Sequence, residues 1–208
     1  MEVISLESGV GKAAIRAAGV LRQGGVILYP TDTVYGLGAD ALSDDAVAKI
    51  YAIKGMDVTK PVHAAVADLE MADKYGEVND IARKLAEKFL PGALTLILKI
   101  REGVNSGIAM GRADFAIRIP KNELCLEIAR TFGKPFTTTS ANITGQPPAR
   151  TVGEIVAQLG DVAQYIDLVI DAGALPDRKP STVVNVVSGF PSVIREGEIP
   201  AADILAFK

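Results

Sequence analysis

The chain has 208 residues, 49% of them hydrophobic and 23% charged, with a formal net charge of −3. This composition is typical of a packed domain, and the slightly acidic balance gives no overall attraction to nucleic acid or to an anionic membrane. A single cysteine, Cys125, and a single histidine, His63, exclude an internal disulfide and a zinc site built from clustered Cys and His ligands.

Hydrophobic periodicity, capping residues and glycine or proline breaks predict the elements of the N-terminal half. Ser8 is expected to cap a helix over 11–23, which two glycines end. Ser43, followed by two aspartates, predicts a helix that ends near Lys54 and Gly55. The other predicted elements of this half are strands over 26–29, 63–66 and 94–100 and helices over 69–75 and 81–89.

The C-terminal half is predicted to contain mostly short strands. The predicted elements are strands over 115–119, 168–170, 182–187 and 192–195, helices over 123–132 and 152–159, and a β-prone stretch over 135–140. The segment Thr144–Arg150 has the composition of a flexible loop, and Cys125 lies in a helical apolar pattern that predicts a buried thiol. We expect one α/β or α+β domain over 1–208, with a twisted mixed β-sheet flanked by helices.

The segment Tyr29–Asp40, with the sequence YPTDTVYGLGAD, combines threonines, an aspartate and tyrosines with Gly36 and Gly38. Hydroxyls and exposed amides suit an anionic or zwitterionic small molecule, and glycines allow the backbone to approach it closely. The segment therefore indicates a polar pocket wall. An ordinary strand–turn–strand is the alternative.

Two further clusters contain basic side chains. Lys54 and Lys60, with His63 close in sequence, could bind phosphates as point charges, although a lysine before a glycine is also ordinary helix capping. Arg118, in the sequence FAIRIP, could bind a carboxylate or a phosphate with its planar fork. The alternation of apolar residues around it leaves open an outward-facing strand arginine.

The last clusters are PFTTTSANITGQ at Pro135–Gln146 and PSTVV at Pro180–Val184, the latter followed by Arg195. The first indicates a nucleotide-binding rim at a strand end, with an Asn/Gly turn as the alternative. The chain contains neither the GxxxxGK[ST] phosphate loop nor the three-glycine dinucleotide fingerprint.

Seven segments, in order, resemble the YrdC-like family of threonylcarbamoyl-AMP synthases. They are YPTDTVYGLGADA, IYAIKG…KP, LPGALTLIL, AIRIP, TSANITG, PSTVV and REG. The resemblance implies a YrdC/RibB-like fold with a large positively charged cavity, in the short single-domain form. It also implies that L-threonine, bicarbonate (or carbon dioxide) and ATP react to give threonylcarbamoyl-adenylate and pyrophosphate. The adenylate then supplies the downstream machinery that modifies a tRNA adenosine next to the anticodon.

Site residues follow from the same resemblance. Lys54 and Arg118 are expected to be catalytic. The threonine site is expected to include Thr31, Thr33, Tyr35, His63, Arg118, Ser140 and Ser181. The ATP site is expected to include Lys54, Lys60, Thr138, Ser140, Asn142 and Arg195. Mg²⁺ is expected to arrive with ATP, because phosphate oxygens supply most of its ligands, so no metal site of the protein's own is expected.

Two positions depart from the family pattern. Met56 stands where many relatives have an arginine, so either Lys60, Arg150, Arg178 or Lys179 would have to supply a phosphate contact, or ATP would bind more weakly. Asn185 replaces a frequent aspartate. The main alternative function is a non-catalytic RNA- or nucleotide-binding protein, which the acidic balance disfavours. A carbamoyl-adenylate-forming relative from hydrogenase maturation is a third possibility, although the chain lacks its additional acylphosphatase-like and Cys-rich elements.

The sequence also bears on where the protein acts. It contains no signal-peptide pattern and no apolar run of about 20 residues. We therefore expect a cytoplasmic protein without a membrane-spanning segment.

Overall fold

A computed structural model of the chain describes residues 1–207, which form two β-sheets with helices packed around them. The strands are β1 (Glu2–Ser5), β2 (Ile27–Pro30), β3 (Tyr35–Gly38), β4 (Ala64–Ala65), β5 (Gly76–Glu77), β6 (Leu94–Ile100), β7 (Asp114–Arg118), β8 (Phe136–Thr137), β9 (Thr139–Ser140), β10 (Leu168–Asp171), β11 (Thr182–Asn185) and β12 (Ser192–Arg195). The helices are α1 (Val10–Arg22), α2 (Asp44–Lys54), α3 (Leu69–Asp73), α4 (Asp80–Phe89), α5 (Glu123–Phe132), α6 (Val152–Leu159) and α7 (Ala201–Leu205).

Both sheets mix parallel and antiparallel neighbours. The five-stranded sheet has the order β1-β10-β2-β3-β9, and the seven-stranded sheet has the order β12-β11-β6-β7-β4-β8, with β5 paired to β6. The predicted α/β class with mixed strands and flanking helices is confirmed, but the prediction of one sheet is wrong. The predicted β-prone stretch divides at Thr138: β8 pairs with β4 in one sheet and β9 pairs with β3 in the other.

Two apolar cores hold these layers together. The larger one joins α2 and α4 to both sheets and includes Leu28, Ile50 and Phe115. The smaller one lies under α1 and α5, two helices that pack directly on each other. Cys125 is buried in this smaller core, as predicted, and burial raises the pKa of its thiol.

Capping explains where the helices begin and end. The Ser43 hydroxyl accepts from the Ala46 amide, and Gly55 ends α2 in the left-handed conformation (φ 55°), as predicted for both positions. The prediction for Ser8 is wrong. Its hydroxyl donates to the Ser5 carbonyl in a short 3-10 turn, and α1 begins after Gly9 at φ 109°, a conformation that favours glycine.

The sequence prediction missed three short elements, β1, β5 and α7. Each has two to five residues, which is too short for an apolar period to emerge. The strand predicted over 182–187 ends at Asn185. Over residues 1–207, none of the helices combines the length and the hydropathy that crossing a bilayer requires.

Candidate functional site

Two adjoining hollows lie where the sheets meet at β8 and β9. The inner cavity, of about 110 Å³, is lined by Thr31, Thr33, Val34, Gly36, His63, Arg118, Thr138, Thr139, Ser140, Pro180, Ser181 and Arg195. The outer cleft, of about 400 Å³, is lined by Lys54, Met56, Lys60, Pro61, His63, Ile97, Thr139, Ser140, Asn142, Thr144, Gly145, Val183, Ile194 and Arg195. Four residues belong to both linings, so the hollows share a wall. Neither lining includes an aspartate or a glutamate from the described residues.

The turn between β2 and β3 forms one wall of the inner cavity, and Thr31 holds it together. Its hydroxyl donates to the Val34 carbonyl at 2.7 Å and accepts from the amides of Thr33 and Val34 at 3.1 and 3.2 Å. A threonine hydroxyl that bonds nearby backbone fixes a turn in this way. The strand–turn–strand alternative is therefore correct for the backbone, while the turn also presents both threonines to the cavity.

Arg118 is buried at the end of β7, with 5% of its surface exposed. The outward-facing alternative is therefore wrong, because both faces of β7 are covered. The guanidinium donates from Nη2 to Asp32 Oδ1 at 2.8 Å, from Nη1 to Thr33 Oγ1 at 3.0 Å and from Nε to the Gly92 carbonyl at 3.0 Å. These bonds satisfy a charge that would otherwise be costly to bury.

Lys54, the last residue of α2, is also buried, with 4% of its surface exposed. Its ammonium donates to the Ser140 carbonyl at 2.5 Å and to the backbone and side-chain oxygens of Asn142 at 3.0 and 3.2 Å. All three acceptors are neutral, and burial lowers the pKa of Lys54 to about 8. Both interpretations of Lys54 therefore hold: it precedes the glycine that ends α2, and its ammonium faces inward.

Asn142 and Ser140 form the rim that the TSAN sequence predicted. Ser140 Oγ donates to Asn142 Oδ1 at 2.5 Å, and Asn142 Nδ2 donates to the carbonyls of Ile143 and Gln146 at 3.1 and 2.5 Å. The Asn/Gly turn proposed as the alternative is therefore present, and its side-chain bonds shape the floor of the outer cleft.

His63 and Arg195 lie in the wall that the two hollows share. Burial, together with the positive charges of Arg195 and Arg118, lowers the pKa of His63 to about 4, so the imidazole is neutral at pH 7. Arg195 Nη2 donates to the Ser181 carbonyl at 2.9 Å. Burial, with a smaller contribution from Arg118, lowers the pKa of Arg195.

The structure brings together most of the residues that the sequence singled out. The inner cavity contains Thr31, Thr33, His63, Arg118, Thr138, Ser140, Ser181 and Arg195, and the outer cleft adds Lys54, Lys60 and Asn142. Tyr35 requires a correction because it lines neither hollow. It is buried in β3, where its hydroxyl donates to the Gly173 carbonyl and accepts from the Ala172 amide, so it anchors a loop.

Several lining residues were missed. Thr139 faces both hollows, and its place inside the TSAN sequence could have indicated it. Val34, Gly36 and Pro180 complete the inner cavity. An added Cβ at Gly36 would lie 3.2 Å from the Tyr29 ring. The reason for glycine at this position is therefore close packing against that ring, and not a positive φ.

Of the four residues expected to compensate for Met56, one lines the outer cleft and three do not. Lys60 lines the outer cleft beside Met56. Arg150 donates instead to the Leu175 carbonyl at 2.6 Å, and Arg178 donates to the Asp32 carbonyl at 2.9 Å. Neither they nor Lys179 line the cleft, so Lys60 is the best placed of the four to replace the missing arginine.

Comparison with known proteins gives consistent relatives. A protein of Methanocaldococcus jannaschii, named provisionally as a threonylcarbamoyl-AMP synthase, is 41% identical over 85% of this chain and 82% of its own length. The threonylcarbamoyl-AMP synthase of Bacillus subtilis is 37% identical over 92% of this chain, which spans only 55% of that protein.

The fold comparison agrees with these relatives. The crystal structure of Pyrococcus abyssi Sua5 complexed with L-threonine superposes with a TM-score of 0.87 at 31% identity, covering 99% of this chain and 60% of the other. A model of the Sua5/YciO/YrdC family, described as "Telomere recombination", matches residues 19–197. The predicted family is therefore confirmed, and the chain belongs to the Sua5/YciO/YrdC family.

Proposed function

We propose that the protein is a threonylcarbamoyl-AMP synthase, an enzyme that joins L-threonine, bicarbonate or carbon dioxide, and ATP. The products are threonylcarbamoyl-adenylate and pyrophosphate, so the reaction is a nucleotidyl transfer. One observation carries the proposal: a small hydroxyl- and arginine-lined cavity shares a wall with a wider lysine-lined cleft. The names of the relatives and the L-threonine complex of Sua5 support it.

The sizes of the two hollows support binding of one substrate in each. Pockets for drug-sized ligands are typically about 300–1,000 Å³. The outer cleft, at about 400 Å³, falls within that range, whereas the inner cavity, at about 110 Å³, holds only a small molecule. ATP therefore occupies the outer cleft and threonine the inner cavity. Under this proposal the two hollows together correspond to the large positively charged cavity that the family resemblance implies.

The inner cavity has groups that complement a zwitterionic amino acid. Arg118 offers its remaining N–H groups to the substrate carboxylate. The hydroxyls of Thr31, Thr33, Ser140 and Ser181 supply polar contacts around the rest of the molecule. His63, neutral at pH 7, adds no positive charge that would repel the substrate ammonium.

The outer cleft has the cations that a triphosphate requires. Lys54, Lys60, Arg195 and Asn142 line it. Thr138, which the resemblance also assigned to ATP, lines the inner cavity instead. Mg²⁺ would enter with ATP and would take most of its oxygen ligands from the phosphates. The hydroxyls of Thr139, Ser140 and Thr144, which line the cleft, would be the protein groups nearest to it. Neutralising phosphate charge in this way is the main catalytic contribution expected in phosphoryl and nucleotidyl transfer.

The reaction then takes place at the shared wall. The threonine ammonium first loses a proton. The free amine then bonds to the carbon of bicarbonate or carbon dioxide, with release of a second proton when carbon dioxide reacts or of water when bicarbonate reacts. A carboxylate oxygen of this adduct attacks the α-phosphorus, and the bond to pyrophosphate breaks. No enzyme nucleophile is required, so positioning and charge neutralisation supply the rate enhancement.

A pyrophosphate-release assay tests the function. We expect release that requires L-threonine, bicarbonate and MgATP together, and the adenylate is then identified by mass spectrometry. Release that proceeds equally without threonine would contradict the proposal. tRNA binding that falls steeply with salt, with no pyrophosphate released, would favour the RNA-binding alternative.

The adenylate is a reactive intermediate, so a downstream transfer system must consume it. We propose that this is the machinery that modifies tRNA adenosine next to the anticodon. Adding that machinery and tRNA to the assay should move the threonylcarbamoyl group from the adenylate to RNA, with release of AMP.

A further inference from the structure

Asp32 is the least explained polar residue near the inner cavity. It does not line the cavity, yet its carboxylate forms an ion pair with Arg118 in which the two side chains are only 8% and 6% exposed. Its second oxygen, Oδ2, accepts from the Lys121 amide at 3.0 Å. The carboxylate is therefore held on both sides, behind the cavity wall.

The contacts of Arg118 show what this carboxylate does. A guanidinium has five N–H groups, and Arg118 uses one each on Asp32, Thr33 and Gly92. One N–H on each Nη atom then remains for a ligand. The three anchors come from separate parts of the chain, so they fix the plane of the guanidinium.

We propose that Asp32 is a positioning residue for amino-acid recognition: it holds Arg118 so that the two remaining N–H groups face the inner cavity as a fork for the substrate carboxylate. This inference rests on the proposed function. Asp32 acts through Arg118 and does not touch the substrate.

Charge balance gives Asp32 a second effect. An unpaired Arg118 would attract any nearby anion, whereas a guanidinium paired with a carboxylate retains only part of that long-range attraction. Recognition then depends more on the geometry of two parallel hydrogen bonds, which a planar carboxylate can accept. Asp32 therefore favours a correctly placed carboxylate over other anions.

Binding of two related ligands tests the inference. L-Threonine carries the carboxylate and L-threoninamide does not, so only the first can use the fork. Asp32→Asn keeps the shape and loses the charge, and we expect the loss of guanidinium positioning to exceed the gain from a stronger attraction to anions. The Kd of L-threonine, measured by calorimetry, should therefore rise about tenfold or more. The Kd of L-threoninamide should change by no more than about twofold.

Two further variants complete the design. Asp32→Glu keeps the charge, so it is expected to fold even if Asp32→Asn does not, but it displaces the carboxylate and should also weaken threonine binding selectively. Asp40→Asn is the matched control, because Asp40 also forms an ion pair, with Lys134 at 3.4 Å, and lines neither hollow. It should leave both affinities unchanged.

The outcomes separate the two proposals. Equal weakening of both ligands in the Asp32 variants, or no weakening of threonine, overturns the positioning role. If the unaltered protein releases no threonine-dependent pyrophosphate, the proposed function is contradicted. The comparison of L-threonine with L-threoninamide still tests the positioning role of Asp32. The inference is supported if the Asp32 variants, and not Asp40→Asn, bind L-threonine more weakly while their affinity for L-threoninamide is unchanged.

Discussion

The two hollows each contain a buried cation, but the protein stabilises the two charges differently. In the inner cavity Arg118 has the Asp32 carboxylate at 2.8 Å. In the outer cleft Lys54 has only neutral oxygens, and burial lowers its pKa to about 8. A paired cation orients one ligand group, whereas a cation without a carboxylate keeps more of its charge for a polyanion. The difference matches a carboxylate ligand on one side and a triphosphate on the other.

The largest expected effect comes from breaking the ion pair. Arg118→Met leaves the Asp32 carboxylate buried without its partner, which typically costs about 3–5 kcal/mol. Chemical denaturation should therefore show a lower unfolding free energy by about that amount, and turnover should fall with it.

A double variant, Arg118→Met with Asp32→Leu, checks the reason for this loss. Replacing both charges by apolar groups removes the buried carboxylate, so much of the stability should return while turnover stays low. A single Arg118→Met variant as stable as the unaltered protein would show that the pair contributes nothing to the fold.

The second effect is a dependence of stability on pH at Lys54. Its pKa is about 8 in the folded protein and about 10.4 in an unfolded chain. Between these values the unfolded chain binds more protons, so the unfolding free energy rises with pH. The full penalty applies below pH 8 and is gone above about 10.4, a change of about 3 kcal/mol.

Denaturation at pH 7.5 and pH 10 measures this change when the protein is compared with Lys54→Met, which lacks the titration. Lys49→Met is the matched control on the same helix, because the Lys49 ammonium is exposed and donates to the Gly24 carbonyl. A stability difference between the protein and Lys54→Met that is independent of pH would contradict the expected titration.

The third effect is on catalysis. Lys54→Ala removes the ammonium from the outer cleft and leaves the oxygens of Ser140 and Asn142 without their donor. We expect turnover in the pyrophosphate assay to fall at least tenfold, about 1.4 kcal/mol of transition-state stabilisation. Lys49→Ala should retain normal turnover. Equal turnover in the two variants would place Lys54 outside the catalytic machinery.

The sequence-based predictions match the structure best where a residue type has one dominant structural or chemical role. Hydroxyls, a histidine and arginines in five separate segments converge on the hollows, and the caps at Ser43 and Gly55 follow local rules. Local rules could not show the ion pair, because Asp32 and Arg118 are 86 residues apart and meet only where the turn after β2 in one sheet reaches β7 in the other. For the same reason the division into two sheets at Thr138 was not predicted.

Tyr35 shows the opposite error. It lies in the same segment as Thr31 and Thr33, so proximity in sequence suggested the same wall. Tyr35, however, lies in β3 directly before Gly36, which lines the inner cavity. Successive side chains of a strand point to opposite faces, so the Tyr35 side chain points away from the cavity and reaches the loop at Gly173. Membership of a motif did not determine which way the side chain points.

The smallest expected effect concerns the choice between threonine and serine. Val34 and Pro180 are the only apolar side chains among the described residues that line the inner cavity, so they are the natural contacts for the methyl group of threonine. One methyl group in a pocket changes discrimination by about 1–3 kcal/mol. Val34→Ala should therefore lower the threonine-to-serine ratio of kcat/KM, by about fivefold for a contact worth about 1 kcal/mol.

The ratio is measured by running the pyrophosphate assay with each amino acid. Val58→Ala is the control, since Val58 is 70% exposed and lines neither hollow. A uniform loss of rate with both amino acids would mean that Val34 supports the turn of Thr31 without contacting the methyl group. A fall in the ratio that is confined to Val34→Ala would place that group against Val34, in the turn between β2 and β3.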